Sequence, residues 1–336
     1  MRRHTVILGA GATIAAIPNG DKNGRKSSVM NGLIEKLELQ DVLQDIHLQT
    51  TSNNLEDIYS ELCSSPEYNY ARQELERRLY DYFASLKLPD EPTVYDCLVL
   101  SLTKKDLIAT FNWDPLLIQA RERCSQITDN LPEIICLHGN VAIGYCPNHQ
   151  LYGPKDIICP HCRTPFIPSR LLYPVANKDY DTDSFIRACW KDTETYIEHS
   201  YMLTIFGYSA PSSDIKAVSL LKKAWGDLES RQLEEVSIID VINEDVMLNK
   251  WKDFIYTHHY RYTNDFFTSY LGKLPRRSCE ATFARLMGGV WLNGNMGFKE
   301  GMSWDEIEKL VYELVIEEEM TPEREEYPIH YGAVIG

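Results

Sequence analysis

The chain has 336 residues and a formal net charge of −15, with 44% hydrophobic and 25% charged residues. These proportions are typical of a globular protein with a large core, organised as one big domain or two ordinary ones. Because an acidic surface repels phosphates, the charge disfavours direct binding to nucleic acid.

The cysteine count and the apolar runs bear on the compartment. The nine cysteines are odd in number and mostly scattered, which argues against a disulfide framework and for a reducing cytoplasm. Apolar runs such as residues 202–206 are too short to cross a bilayer. The basic start at residues 1–4 leads into a glycine turn rather than a long apolar stretch, so no signal peptide is predicted. We expect a cytoplasmic protein without a membrane segment.

Short apolar strands alternate with helices along much of the chain. The predicted strands cover residues 4–8, 106–111, 134–137, 201–206 and 236–242. Such runs are typical of a parallel sheet covered by helices on both faces. The predicted fold class is α/β, with a Rossmann-like sheet in which ligands bind at the carboxyl ends of the strands.

Helices are predicted outside these strands. Apolar residues recur at helical spacing over residues 27–102, which we interpret as a helical insertion, and a further helix covers about residues 214–225. Ser303 and Glu306 fit a capping box that begins another helix. The predicted division is a first domain over residues 1–275 and a helical extension over residues 276–336, with a solvated acidic end over residues 317–326.

A glycine turn follows the first strand. Gly9, Ala10 and Gly11 allow backbone N–H groups to approach a pyrophosphate without a Cβ in the way, and Thr13 can add a hydroxyl. An ordinary tight turn explains the same residues. The segment is therefore a candidate dinucleotide site that needs support from elsewhere in the chain.

Polar residues also follow the second and third strands. Asn112 and Asp114 lie where a ligand would bind, although an Asx turn with a helix cap before the helix at Pro115 also explains Asp114. His138 lies beside Gly139, which leaves room for a substrate, and an imidazole suits general-base catalysis at neutral pH. We interpret Asn112 and His138 as the catalytic candidates.

A Cys/His cluster follows, within a module over about residues 142–168. Cys146 and His149 form one pair with a two-residue spacer, and Cys159 and Cys162 form another. Four such ligands fill a tetrahedral zinc sphere, which predicts a structural zinc site. His161 is an alternative fourth ligand in place of His149.

These segments, in this order, resemble the sirtuin family over about residues 4–260. Sirtuins carry a Gly-Ala-Gly loop, a Gln-Asn-Ile-Asp segment, a catalytic His-Gly pair, a four-ligand zinc module, a Gly-x-Ser loop and a late Asn-x-Glu. The counterparts here are residues 9–13, 111–114, 138–139, 146–162, 207–209 and 243–244. The resemblance implies a pocket for NAD.

The resemblance also implies roles for single residues. Gly9, Ala10, Gly11 and Thr13 would hold phosphates. Asn112 would orient the nicotinamide ribose and the attacking water, Asp114 would touch the carboxamide, and His138 would act as the base. On the adenosine side, Gly207 and Ser209 would line the pocket and Asn243 would meet the ribose.

The sequence also departs from the family. Phe111 stands where sirtuins usually have Gln, and residues 17–21 lack the usual Phe and Arg. Residues 172–178 lack the Phe-Gly-Glu segment that pairs with an acyl-lysine peptide in deacylating members. This pattern is similar to the sirtuin-like NAD hydrolases of bacterial anti-phage systems.

That similarity implies hydrolysis of the nicotinamide–ribose bond, with NAD depletion as the outcome. It also implies a homo-oligomer and a protein partner, such as a HerA-type ATPase or an Argonaute-like protein. Two other functions stay open: an NAD-dependent lysine deacylase, and a non-catalytic NAD or ADP-ribose sensor that controls a partner.

Overall fold

A computed structural model describes residues 2–44, 46–175, 178–227, 231, 234–255, 259–291 and 297–320. Of the predicted solvated acidic end, residues 321–326 lie outside the described ones. The prediction is wrong for Glu317 and Glu318, which pair with the buried Arg277 and Arg276. Within the described residues, no helix combines the length and the apolar composition that crossing a membrane requires.

The strands and helices alternate along most of the chain. The strands are β1 Arg3–Leu8, β2 Leu107–Thr110, β3 Glu133–Cys136, β4 Ile143–Cys146, β5 Leu151–Pro154, β6 Ile167–Pro168, β7 Ser200–Phe206, β8 Glu235–Ile239 and β9 Tyr260–Thr263. The helices are α1 Ala10–Ala16, α2 Leu33–Lys36, α3 Leu55–Leu62, α4 Asn69–Ala84, α5 Val94–Leu100, α6 Leu116–Cys124, α7 Ser184–Glu198, α8 Ile215–Trp225, α9 Glu244–Trp251, α10 Tyr270–Lys273, α11 Ser278–Gly288 and α12 Trp304–Met320.

In the part of the chain described, a six-stranded sheet runs in the order β3-β2-β1-β7-β8-β9. Every neighbouring pair is parallel. All residues of β2, β7 and β8 are buried, as continuous apolar runs predict for a sheet covered on both faces. The predicted α/β fold class with a parallel sheet is confirmed.

Two details of the sheet differ from the sequence prediction. The strand predicted over residues 236–242 ends at Ile239, because the Asp240 carboxylate accepts a hydrogen bond from the Ile242 N–H at 2.9 Å and turns the chain. The edge strand β9 was not predicted, since its half-buried sequence Tyr-Arg-Tyr-Thr carries no continuous apolar run.

Four helices, α2 to α5, lie within residues 27–102, where the sequence predicts a helical insertion. Its last helix, α5, begins with a capping box between Thr93 and Asp96 and packs against α1 and α6. This places α5 in the helical layer over the sheet, with Tyr95 fully buried. After residue 276, α12 begins with the predicted Ser303–Glu306 box. The domain boundaries themselves stay predictions.

The turn after β1 touches the turn after β7. The Gly11 N–H donates to the Gly207 carbonyl at 2.9 Å, and Gly207 has a φ of +60°. A Cβ on Gly207 would lie 2.3 Å from the backbone nitrogen of Ala12. Glycines at these positions therefore allow the two turns to approach each other.

Replacing Gly207 by alanine should lower the free energy of unfolding by more than about 2 kcal/mol, because backbone strain and a steric clash add. Gly289→Ala is the matched control: its φ is +61°, but apart from its chain neighbours no heavy atom of the described residues lies within 4 Å of an added Cβ. The control should lose only about 1 kcal/mol. Urea denaturation measures both, and equal losses would contradict the packing argument.

Candidate functional site

A cavity of about 250 Å³, called here the central cavity, opens at the carboxyl ends of the parallel strands. It lies where the strand order reverses, since β1 connects to β2 on one side and pairs with β7 on the other. This crevice is where open α/β sheets bind ligands. The lining includes Gly9, Ala10, Glu56, Phe111, Asn112, His138, Leu172, Lys178, Gly207, Tyr208, Ser209 and Asp214.

Asn112 reaches the cavity from the end of β2, and its side-chain nitrogen faces the glycine turn. Nδ2 lies 2.9 Å from the Gly9 carbonyl, 3.0 Å from Thr13 Oγ1 and 3.1 Å from the Tyr95 hydroxyl. A carbonyl only accepts, so the Gly9 contact identifies the atom facing it as nitrogen. Among the residues described, no donor lies on Oδ1. This oxygen can accept a hydrogen bond from a ligand.

Tyr95 supports Asn112 from behind. Its hydroxyl lies 2.8 Å from Thr13 Oγ1, which itself donates to Asp114 at 2.8 Å. Tyr95 therefore donates to Thr13 and completes a buried network of hydroxyls and an amide under the cavity wall.

Tyr95→Phe should lower the free energy of unfolding by about 1 kcal/mol, because one buried hydroxyl and its hydrogen bonds are lost while the ring is kept. Tyr70→Phe, at a residue that is 83% exposed, should change it by less than about 0.5 kcal/mol. Chemical denaturation of both variants checks the pair; a Tyr95→Phe variant as stable as the parent would mean that the network contributes nothing.

His138 reaches the cavity from the loop after β3. Its side chain is buried, and Nε2 lies 3.2 Å from the Tyr180 hydroxyl and 3.8 Å from Asp214 Oδ1. Burial lowers the pKa of His138 to about 3; Asp214 opposes this effect and the positive charge of Lys178 adds to it. The imidazole is therefore neutral at pH 7, and it is a weak base unless a negative charge stabilises its protonated form.

Aromatic side chains pack against the His138 imidazole. Phe111, at the position where the resemblance predicts Gln, meets the imidazole edge to face with centroids 4.7 Å apart. The same ring stacks on Tyr208 at 4.2 Å, and the Tyr208 hydroxyl donates to Asp214 at 2.8 Å. Phe111 thus places an apolar aromatic stack against the imidazole.

The structure places Thr13 and Asp114 behind the cavity wall. Asp114 accepts from the Leu116 N–H at 3.1 Å and from Thr13, and burial raises the pKa of its carboxyl. This is the Asx turn that the sequence left as an alternative. The Thr13 hydroxyl already contacts Tyr95, Asp114 and Asn112, so a phosphate contact from it would require their rearrangement.

The other predicted nucleotide contacts divide into two groups. Gly9, Ala10, Gly207 and Ser209 line the central cavity, whereas Gly11 packs against Gly207 beneath it. Asn243 caps α9 by accepting from the Asp245 N–H at 3.0 Å and is exposed. Asn243 does not line the cavity, so an adenosine bound at the ends of β7 and β8 would have to extend beyond the cavity to reach Asn243.

The predicted zinc ligands converge in the small antiparallel sheet β5-β4-β6. Cys146, His149, Cys159 and Cys162 have donor atoms within 4.8 Å of one another. Cys146 Sγ lies 3.5 Å from both Cys162 Sγ and His149 Nδ1, and Cys159 Sγ lies 3.6 Å from His149 Nδ1. Tetrahedral zinc with bonds of about 2.0–2.3 Å requires separations of this size. The set fits zinc, with His149 rather than His161 as the fourth ligand.

Several cavity residues were missed by the sequence analysis. Lys178, Tyr208 and Asp214 line the cavity, and Tyr95 and Tyr180 contact Asn112 and His138; none of the five was given a role from the sequence. A Lys or Asp in a loop is usually a solvated charge, and only burial of Lys178 and Asp214, at 5% and 4% exposure, distinguishes these two.

Neither a protein-family model nor a curated protein sequence matches the chain. Solved Sir2 structures are similar to it. A Sir2 bound to an acetylated peptide is 16% identical, with 86% of this chain and 93% of that chain covered and a TM-score of 0.39. A Sir2 homologue in complex with NAD is 12% identical, with 84% and 90% covered and a TM-score of 0.41. Likeness at this level does not assign a family or an activity.

Proposed function

We propose that this chain binds NAD in the central cavity and hydrolyses the nicotinamide–ribose bond, which yields nicotinamide and ADP-ribose. One observation carries the proposal: Asn112 and His138, from two neighbouring strand ends, line the same cavity as the glycine turn after β1. The sirtuin-like order of motifs supports NAD as the ligand.

The chemistry needs little acid assistance. The bond between C1′ and the pyridinium nitrogen breaks with its electron pair going to nitrogen, so nicotinamide departs neutral from a cationic group. Water oxygen bonds to C1′ and loses one proton. Glycosidases that expel an alkoxide use an acid and a second carboxylate; here a hydrogen-bond acceptor and a base are sufficient.

Each of the two residues has a role that its contacts support. The Asn112 amide nitrogen is held by the Gly9 carbonyl at 2.9 Å, so its Oδ1 can orient a ribose hydroxyl or the attacking water. The neutral His138 imidazole accepts the proton. Binding energy from the pyrophosphate and adenosine, remote from C1′, can support distortion of the ribose.

The zinc module has no part in this chemistry. Four protein ligands leave no open position for water, so a zinc ion held there is structural. A zinc ion would hold the antiparallel sheet β5-β4-β6 together. The chain that follows β6 then leads to Leu172, which lines the cavity.

The test is to incubate the purified full-length chain with NAD and to measure free nicotinamide. Turnover with NAD alone, absent in Asn112→Ala, supports the hydrolase. Nicotinamide release only after addition of an acetyl-lysine peptide would identify a deacylase. Tight NAD binding without any product, also in lysate from phage-infected cells, would identify a sensor and overturn the proposal.

We further propose that the activity depletes NAD in anti-phage defence, in the cytoplasm and within a homo-oligomer or a complex with a protein such as a HerA-type ATPase. Two helices carry exposed aromatic side chains that an assembly surface could use, Tyr70 on α4 and Tyr312 on α12. Light scattering of the purified chain, alone and with a HerA-type ATPase, tests this assembly; a monomer in both cases would contradict it.

A further inference from the structure

A buried ion pair forms part of the wall of the central cavity. Lys178 is 5% exposed, and its ammonium contacts Asp214 Oδ1 and lies 3.2 Å from Ser213 Oγ. Burying both charges is costly, and an ion pair at a cavity wall therefore suggests a use beyond stability.

Asp214 also faces the catalytic candidate. Its Oδ1 lies 3.8 Å from His138 Nε2, beyond hydrogen-bond range, while its Oδ2 accepts from the Tyr208 hydroxyl at 2.8 Å. Lys178 Nζ and His138 Nε2 thus both approach the same carboxylate oxygen, Asp214 Oδ1. As long as Lys178 neutralises that oxygen, little negative charge is left to stabilise an imidazolium.

The remaining groups around His138 do not supply this charge. The Tyr180 hydroxyl at 3.2 Å is neutral, and burial raises its pKa. Glu56 lines the cavity but accepts from Ser213 Oγ at 2.7 Å. Asp214 is therefore the carboxylate placed to compensate a positive charge on His138.

We propose that Lys178 is the anion-binding residue of the central cavity, and that a phosphate-bearing substrate draws its ammonium away from Asp214, which then pairs with His138. Asp214 is a positioning residue in this scheme, because it acts through the imidazole. The inference rests on the proposed function only for the identity of the anion as the pyrophosphate of NAD.

This exchange couples binding to chemistry. Without substrate, burial keeps His138 neutral and a weak base, and the Lys178 ammonium on Asp214 Oδ1 limits how far that carboxylate can oppose this effect. With an anion on Lys178, the freed carboxylate stabilises the protonated imidazole, so the base becomes stronger when a substrate is present. The charges balance: one ion pair is replaced by two, ammonium with phosphate and imidazolium with carboxylate. The proton on the imidazole comes from the attacking water during hydrolysis, or from solvent when pyrophosphate alone is bound.

The test follows His138 directly by NMR of the ¹⁵N-histidine-labelled full-length chain, with its signal assigned by comparison with His138→Gln. The probe is inorganic pyrophosphate, and calorimetry measures its binding. In the parent protein, we expect pyrophosphate to raise the midpoint of His138 protonation by about one pH unit or more.

Two variants separate the steps. Lys178→Met should weaken pyrophosphate binding about tenfold or more and abolish the shift, because the cation is lost. Asp214→Asn should still bind pyrophosphate but lose most of the shift, which excludes a direct effect of the anion on His138. Lys216→Met is the control, since Lys216 is an exposed residue whose ammonium lies 3.0 Å from Asp181, and it should respond as the parent does.

The outcomes are decisive in both directions. An unshifted His138 in the parent protein, or a full shift in Lys178→Met, overturns the exchange. If Asp214→Asn does not fold, as judged by its thermal transition, the comparison of Lys178→Met with the parent protein still tests the exchange. A parent that shows the pyrophosphate response but never cleaves NAD would refute the proposed function while leaving this inference standing.

Discussion

Replacing His138 by alanine is expected to slow NAD cleavage by a factor of about 10²–10⁴, the usual contribution of a positioned general base. The imidazole is the neutral base that lines the cavity beside Asn112. Among the residues described, His138 is the only histidine that lines this cavity, so its removal takes away the proposed proton acceptor. Release of nicotinamide under saturating NAD measures the effect on kcat.

Asn112→Ala should cause a loss of similar size, since Oδ1 no longer orients the water or the ribose hydroxyl. His199→Ala is the control for loss of an imidazole, because His199 is exposed and its Nδ1 lies 2.8 Å from the Thr195 carbonyl at the end of α7. The control should keep the parent rate, and all three variants should unfold cooperatively. A His138→Ala protein that stays fully active would show that the assigned base is wrong.

Replacing Cys159 by serine should release the bound zinc and unfold the antiparallel module formed by β4, β5 and β6. Structural zinc contributes an apparent free energy of about 10–16 kcal/mol in small modules, and this module has only a small core of Cys146, Cys159 and Phe166. Elemental analysis measures the zinc, and hydrogen exchange over residues 142–168 measures the unfolding.

Cys63→Ser is the matched control, because Cys63 is an exposed free cysteine outside the module. It should retain the zinc of the parent. If the parent protein carries no zinc after expression in zinc-replete medium, or if the module stays protected from exchange in Cys159→Ser, the assignment of a structural metal fails. Loss of the module should also weaken NAD binding, since the chain that follows β6 contributes Leu172 to the cavity wall.

The sheet could be predicted because its signal is local. Runs such as residues 201–206 and 236–239 are apolar and β-branched, and burial on both faces of a parallel sheet favours that composition. The mixed sequence of β9 and the turn at Asp240 gave no such signal. They depend on pairing with a neighbouring strand and on one side-chain hydrogen bond.

The candidate site was predictable in part for a related reason. Polar residues at the ends of β2 and β3 must come together at one edge of a parallel sheet, so Asn112 and His138 could be paired from the sequence. The zinc ligands were equally visible, because short spacers constrain two side chains to one ion. The choice of His149 over His161 depends on the tertiary structure, which brings the His149 ring to the three thiols.

By itself, the sequence determined the fold class, the cysteine-rich ligand set and the two side chains that face the ribose in the proposed complex. Periodicity, spacing and position after a strand are properties of neighbours along the chain. Only the tertiary structure decided that Thr13 and Asp114 lie behind the wall and that Lys178 shares Asp214 with His138. Those contacts join residues 36–101 positions apart, and their energies depend on burial, which no local pattern encodes.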